Sequence, residues 1–146
     1  MTEPASPPAI PADRLQRLFA AVADACPLLL LYALRLHALA RRSVGLEELV
    51  VVLFVLQGVV QFWLLSRRGQ TLGKLIMGIR IVRTTDLKNG GFVKNVLERV
   101  AVGVLIGMIP RVGPFYALAD ILFIFRRDRR CLHDLIAGTR VVKIAP

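Results

Sequence analysis

The residues of this chain with chemistry to offer are a few polar and ionisable groups set into long apolar runs. Arg17 and Asp24 lie seven residues apart, on one face of a helix. Gln57 and Gln61, four apart, share another helix face. Glu98 and Arg99 open a third apolar region, and Asp120 lies inside its second half. A charge at bilayer depth costs about 3 kcal/mol or more unless it is paired or hydrated, so these groups are the informative ones. Two kinds of chemistry compete for them. In one, Asp24 and Asp120 carry a proton or cation along a polar path lined by Gln57 and Gln61. In the other, Asp24 pairs with Arg17 or Arg99 and the glutamines hydrogen-bond between helices. Arg17 and Arg99 lie near span ends, where long cationic side chains snorkel to the interface. Cys26 and Cys131 are not expected to bridge, and without paired histidines they make no metal site. His37 reads as interfacial and His133 as a polar surface residue. The run Gly69-Gln70-Thr71-Leu72-Gly73-Lys74 has the wrong spacing for a phosphate loop and follows no buried strand. With no nucleophile triad legible either, the expectation is a protein that is not an enzyme and needs no metal or cofactor.

The elements that must position these groups are membrane spans. Of the 146 residues, 55% are hydrophobic, and they come in blocks rather than amphipathic pieces. Leu49 to Ser66 runs eighteen residues without a charge. A helix of that length crosses most of a hydrocarbon core about 30 Å thick. A first span is expected from Leu15 to about Leu34 or Leu39, kinked at Pro27. A second runs from about Leu46 to Leu65, with Trp63 as an interfacial aromatic near its end. Val96 to Phe125 is broken at Pro110-Arg111-Val112-Gly113-Pro114 and reads as a third and fourth short span. Between the second and third, Thr71 to Met77 is expected to form a short helix capped by Thr71 and ended by Gly78. Ile79 to Val82 then reads as a strand and Asp86 to Gly91 as a turn. The proline-rich start, residues 1–13, reads as a disordered tail with no signal-peptide character.

Net charge is +10, and the Lys and Arg residues flank the apolar runs instead of forming a nucleic-acid stripe. Seven of them lie from Arg67 to Lys94, and another cluster follows Phe125. The positive-inside rule puts both stretches in the cytoplasm, which requires an even number of crossings between them. The expected fold is an all-α membrane protein with four transmembrane helices and a cytoplasmic helix–strand element from each half. Both termini are then cytoplasmic, in the plasma (inner) membrane, with the basic face toward anionic lipid headgroups and no nucleic-acid partner.

Leu72 to Arg83 aligns without gaps on Leu132 to Lys143, with six of twelve positions identical. The repeat divides residues 14–146 into halves at 14–83 and 96–143. It predicts that the two strands pair and that Lys74 and Asp134, matched in position and opposite in charge, form an ion pair.

Three separated motifs also resemble a known family. Arg17-Leu-Phe-Ala20 with Asp24 resembles the opening of RDD-domain membrane proteins. Gly69-Gln70-Thr71-Leu72-Gly73-Lys74 with the Gly78 to Val82 run is similar to their middle motif, apart from Leu72, where proline is common. Leu132 to Val142, containing Asp134, Gly138 and Thr139, is similar to their closing motif. The resemblance assigns the family's arginine and two aspartates to Arg17, Asp24 and Asp134, and Arg99 resembles the arginine that opens its third region. It implies a small multi-pass membrane protein for which transport is the usual suggestion, with cation/proton exchange in some members. The functional expectation is therefore a transporter, or transporter subunit, for a small cation or proton. The alternative is a non-transporting membrane scaffold or accessory subunit. Four short spans leave little room for a gated path in a monomer, so a homo-oligomer or a membrane-protein partner is expected.

Overall fold

Uninterrupted apolar sequence and few helix breakers give two long helices, α1 (Arg14–Ala40) and α2 (Val44–Arg68). They are seen in a computed structural model that describes residues 10–144. At 27 and 25 residues both are long enough to cross a bilayer. Only 17% of the most apolar eighteen-residue stretch of either is buried within the protein, which excludes the core helices of a soluble fold. Leu29, Leu30, Val52, Phe54, Val55 and Val59 all stay exposed on them. Apolar surface on that scale needs lipid, not water, around it. Trp63 is exposed near the end of α2, as expected for an interfacial aromatic. α1 continues through Pro27, whose ring removes the amide that would serve the Ala23 carbonyl.

Gly69 ends α2 in the left-handed conformation (φ +65°), its N–H returning to Leu65 O at 3.1 Å. Its own carbonyl accepts Ile81 N at 2.7 Å, and Gln70 donates to Ile79 O at 3.0 Å. The chain is thereby steered into α3 (Leu72–Ile76), which Thr71 caps by accepting Lys74 N at 3.3 Å, and then into β1 (Ile79–Arg83). The second half repeats this with α6 (Leu132–Ile136), Gly138 at φ +61° and β2 (Thr139–Lys143).

The strands pair antiparallel with Ile81 opposite Val141. These residues are sixty apart, the offset of the repeat. Ile79 pairs with Lys143, and Arg83, the repeat equivalent of Lys143, pairs with Thr139, the equivalent of Ile79. Exchanging the two copies maps every pair onto another pair, as a twofold axis through Ile81 and Val141 requires. Ile79, Ile81, Val141, Leu65, Ala20 and Val96 make the core beneath this sheet. The chain is thus mostly helical with a two-stranded sheet, rather than purely helical.

Residues 10–13 are ordered, contrary to the expected tail. Pro11 bridges to Val142, Ala12 N donates to Val141 O at 3.0 Å, and Asp13 meets Lys143 Nζ at 2.6 Å. The remainder of that tail, residues 1–9, lies outside the described residues.

The third apolar region forms two legs. A π-helical stretch (Val93–Ala101) runs straight into α4 (Val102–Gly107), and after a turn at Arg111 (φ +69°) α5 (Val112–Leu122) leads into a 3-10 turn (Phe123–Phe125). The expected break at Pro110 to Pro114 is there, and Gly113 lies so close that a side chain would strike the Gly107 carbonyl. Each leg is roughly 20 Å long by helical rise, short of bilayer thickness. Two helices of membrane length are therefore present among the described residues, with a hairpin of two shorter helical legs where two further short spans were expected.

Candidate functional site

Two polar clusters lie where the long helices meet the short ones, and each is built around the N-terminus of a short helix. The first centres on Asp134, in the opening turn of α6 and fully buried. Its carboxylate meets Arg17 Nη2 of α1 at 2.5 Å and Arg99 Nη1 of the π-helical stretch at 2.7 Å, and both arginine side chains are 8% exposed. Cys131 N at 3.2 Å and Thr139 Oγ1 at 3.4 Å also donate to it. Burial alone would raise this carboxyl, but Arg99, His133 and Arg17 outweigh that and hold it down at about 2. Arg17 donates further to the Arg129 carbonyl and to Cys131 Sγ.

His133 extends the network. Its ring approaches Arg99 Nη2 at 2.8 Å through Nε2 and Asp120 Oδ2 at 2.7 Å through Nδ1. A guanidinium only donates, so Nε2 accepts and Nδ1 carries the proton to Asp120. Burial, then the Arg99 charge, pushes the imidazole pKa down, which agrees with that neutral tautomer. Two arginines, two aspartates and a neutral histidine thus sum to zero charge.

The second cluster centres on Asp24 of α1. Asp24 Oδ1 accepts from Gly73 N at 2.8 Å and Gln61 Nε2 at 3.0 Å, and Oδ2 from Thr71 Oγ1 at 2.5 Å. Gln61 Oε1 accepts Leu72 N at 3.1 Å. Every one of these donors is neutral. The approach is possible because residue 73 is glycine: a Cβ there would overlap the Ala20 carbonyl. The repeat reappears here. Gly73 N donates to Asp24 at 2.8 Å, and the equivalent His133 N donates to Asp120 at 2.9 Å.

Several expectations change. Asp24 pairs with neither Arg17 nor Arg99, because both are held by Asp134. Lys74 does not pair with Asp134: its Nζ lies 3.4 Å from Thr71 Oγ1, and burial followed by the Arg99 charge lowers its pKa to about 8. Asp120 hydrogen-bonds to His133, on the cluster around Asp134 rather than the one around Asp24. Gln57 joins neither cluster, and its amide nitrogen is buried without a hydrogen-bond partner among the described residues. Arg17 does not snorkel but is buried. His133 is no surface residue, and only its match to Gly73 in the repeat hinted at a helix-start position. Asn95, fully buried and donating to Leu65 O at 3.0 Å, carried no sequence signal.

Ligand atoms of Asp120, Cys131 and His133 lie within 4.8 Å of one another. The surroundings oppose a metal cation, since Arg17 contacts the sulfur, Arg99 contacts the imidazole, and burial pushes the Cys131 thiol up to about 11.

The sequence pattern of the RDD family matches residues 11–138, from the segment beside β2 through the turn that leads into it. The chain belongs to the RDD family. Its Arg17 and Asp134 are brought into direct contact by the fold, while Asp24 is held apart from them. The RDD motif residues Gly69, Gln70, Thr71, Gly73, Gly138 and Thr139 turn out to be the turn, cap and packing residues around the two clusters. A relative from Bacillus subtilis (strain 168), the uncharacterized protein YckC, is 34% identical over 140 residues, covering 93% of this chain and 87% of its own length. No solved structure matches the chain. Family membership and the two lipid-facing helices together make this a membrane protein.

Proposed function

We propose that this RDD protein moves a small cation or proton across the membrane, alone or as a subunit, and that Asp24 is the carboxylate that handles it. One observation carries the reading. Asp24 sits in a membrane-length helix, and its carboxylate is held by neutral donors alone, while both arginines able to neutralise it are committed to Asp134. A carboxylate in such a place is balanced either by Lys74, whose Nζ reaches it only through the Thr71 hydroxyl and which burial makes easier to deprotonate, or by a mobile positive charge. The Ala23 carbonyl released by Pro27 and the Thr71 hydroxyl add the hard oxygen donors that small cations prefer.

In this reading the hairpin at 93–125 crosses and returns, giving four passes with both basic stretches and both termini in the cytoplasm of the plasma membrane. The basic face then rests on anionic headgroups. A path through so small a bundle is completed by a second copy or by a membrane-protein partner, and no covalent chemistry is involved. A non-transporting scaffold is the second reading. It is favoured by the fact that the same contacts to Asp24 fasten α3 to α1.

Ion flux in proteoliposomes containing only this protein separates the two. Sodium, potassium or proton flux above that of empty liposomes is expected. It should fall by roughly tenfold or more in an Asp24→Asn protein that keeps its thermal transition, the scale of losing one charge contact of about 1.4 kcal/mol or more. Wild-type flux no greater than that of empty liposomes would overturn transport by this chain alone or by its homo-oligomer.

A further inference from the structure

The two legs of the helical hairpin meet at Gly107 and Gly113 and stand apart beyond that contact. A cleft of about 400 Å³ lies between them, open along one side. Gly103 and Gly107 on the first leg leave the space, while Gly113 lets the second leg approach the Gly107 carbonyl at its end. Val100, Val104 and Ile121 line it with apolar surface. Its size falls within the range of small-molecule sites, roughly 300–1,000 Å³.

The polar groups of the cleft are few and converge. The Tyr116 hydroxyl oxygen is buried with no hydrogen-bond partner among the described residues, and it lies close over Gly103. An unsatisfied buried hydroxyl is uncommon and marks a place where a partner is missing. Asp120, with an 18% exposed side chain, supplies the one formal charge in the lining, because His133 beside it is neutral. Its carboxylate accepts only from His133, through N and Nδ1, so lone pairs remain on both oxygens.

We propose that this cleft binds a lipophilic amine in its protonated form. The ammonium donates one hydrogen bond to Asp120 and another to the Tyr116 oxygen. The apolar body lies along Val100, Val104 and Ile121. The acid demands a cation, and the unpaired phenol demands a donor or acceptor. The glycine-made space and apolar walls demand a hydrocarbon body rather than a hydrated metal ion. Such a ligand partitions into the bilayer and reaches the open side from lipid. The site uses neither Asp24 nor ion movement, and it is assayed without a gradient, so it stands or falls separately from transport.

Equilibrium dialysis of radiolabelled phenethylamine against the protein in lipid nanodiscs, with empty nanodiscs subtracted, tests it. Saturable one-to-one binding is expected. Phenethyl alcohol, with the same body and no charge, should compete about tenfold or more weakly, as should the amine in Asp120→Asn. Gly103→Leu fills the cleft while leaving the Asp120–His133 contact in place, and it should abolish binding. If Asp120→Asn does not fold, Gly103→Leu decides. Uptake equal to that of empty nanodiscs, or binding unchanged in Gly103→Leu, would overturn the proposal. An alcohol that competes as well as the amine would overturn it too, in favour of a hydrocarbon filler such as a lipid chain.

Discussion

Replacing Asp134 by asparagine is expected to destabilise the protein by about 3–5 kcal/mol, the cost of breaking a buried ion network by removing one partner. Asparagine keeps the volume and one of the two oxygens, which accept from Cys131 N (Oδ2) and Thr139 Oγ1 (Oδ1), so the charge is the main variable. Without it, Arg17 and Arg99 face each other across a buried site with Asp120, behind His133, as the remaining anion of the network. The measurement is reversible unfolding in detergent. A second variant that also replaces Arg17 and Arg99 with leucine should recover much of the loss, since Asp120 is then the charge left in the network and His133 beside it can take up the balancing proton. A loss below about 1 kcal/mol, the level of an exposed pair, would mean that water reaches the cluster.

The next largest effect is expected at Gly73. A Cβ added there would overlap the backbone carbonyl of Ala20 and lie 3.0 Å from the Asp24 carboxyl carbon. Backbone atoms of α1 cannot rotate away as a side chain would, so α3 must lift off. Gly73→Ala then combines overpacking of about 1–3 kcal/mol with loss of the hydrogen bond to Asp24, worth about 1.5–3 kcal/mol for a charged acceptor. Gly45 of α2 is the control, because a methyl group added there would meet no neighbouring atom within 4 Å. Gly45→Ala should change stability by no more than about 0.5 kcal/mol. Thermal unfolding of the two variants side by side reads the difference, and equal effects would mean that α3 does not pack on α1 as described.

The parts of this fold that could be read from sequence are those set by local pattern or by the repeat. The charge-free run from Leu49 to Ser66 fits a lipid-facing helix and little else, and α2 extends it at both ends. Thr71 and Gly78 bracket α3 because a hydroxyl cap and a left-handed glycine are local needs. The sixty-residue offset foretold the strand pairing, since equivalent strands about a twofold meet at equivalent residues. Pro110 to Pro114 marked the turn between α4 and α5.

What stayed hidden depends on which distant groups meet. Arg17 and Asp24 share a helix face seven residues apart, which allowed them to be read as a pair. Their side chains instead serve different short helices, α6 and α3. Asp134 had three cations to choose from, Arg17, Lys74 and Arg99, and charge alone ranks them equally. The packing decided, bringing the first and last of these to the start of α6 and leaving Lys74 on Thr71. His133 had Leu132 and Asp134 beside it in sequence and nothing local to point to Asp120. Its contact with Asp120 arises because the chain folds back after the 3-10 turn at Phe123–Phe125. The π-helical stretch had no marker, and with it the depth of the hairpin was beyond reach.

Two acids divide the work of this protein: Asp134 locks the arginines, and Asp24 is left without one. Double-mutant cycles in detergent test that division directly. Arg17→Gln with Asp134→Asn should show a coupling of about 1–3 kcal/mol, as expected for residues in one ion-pair network. Arg17→Gln with Asp24→Asn should be additive within about 0.5 kcal/mol, as expected for residues without a shared partner. A coupling in the Asp24 cycle as large as that in the Asp134 cycle would contradict the division.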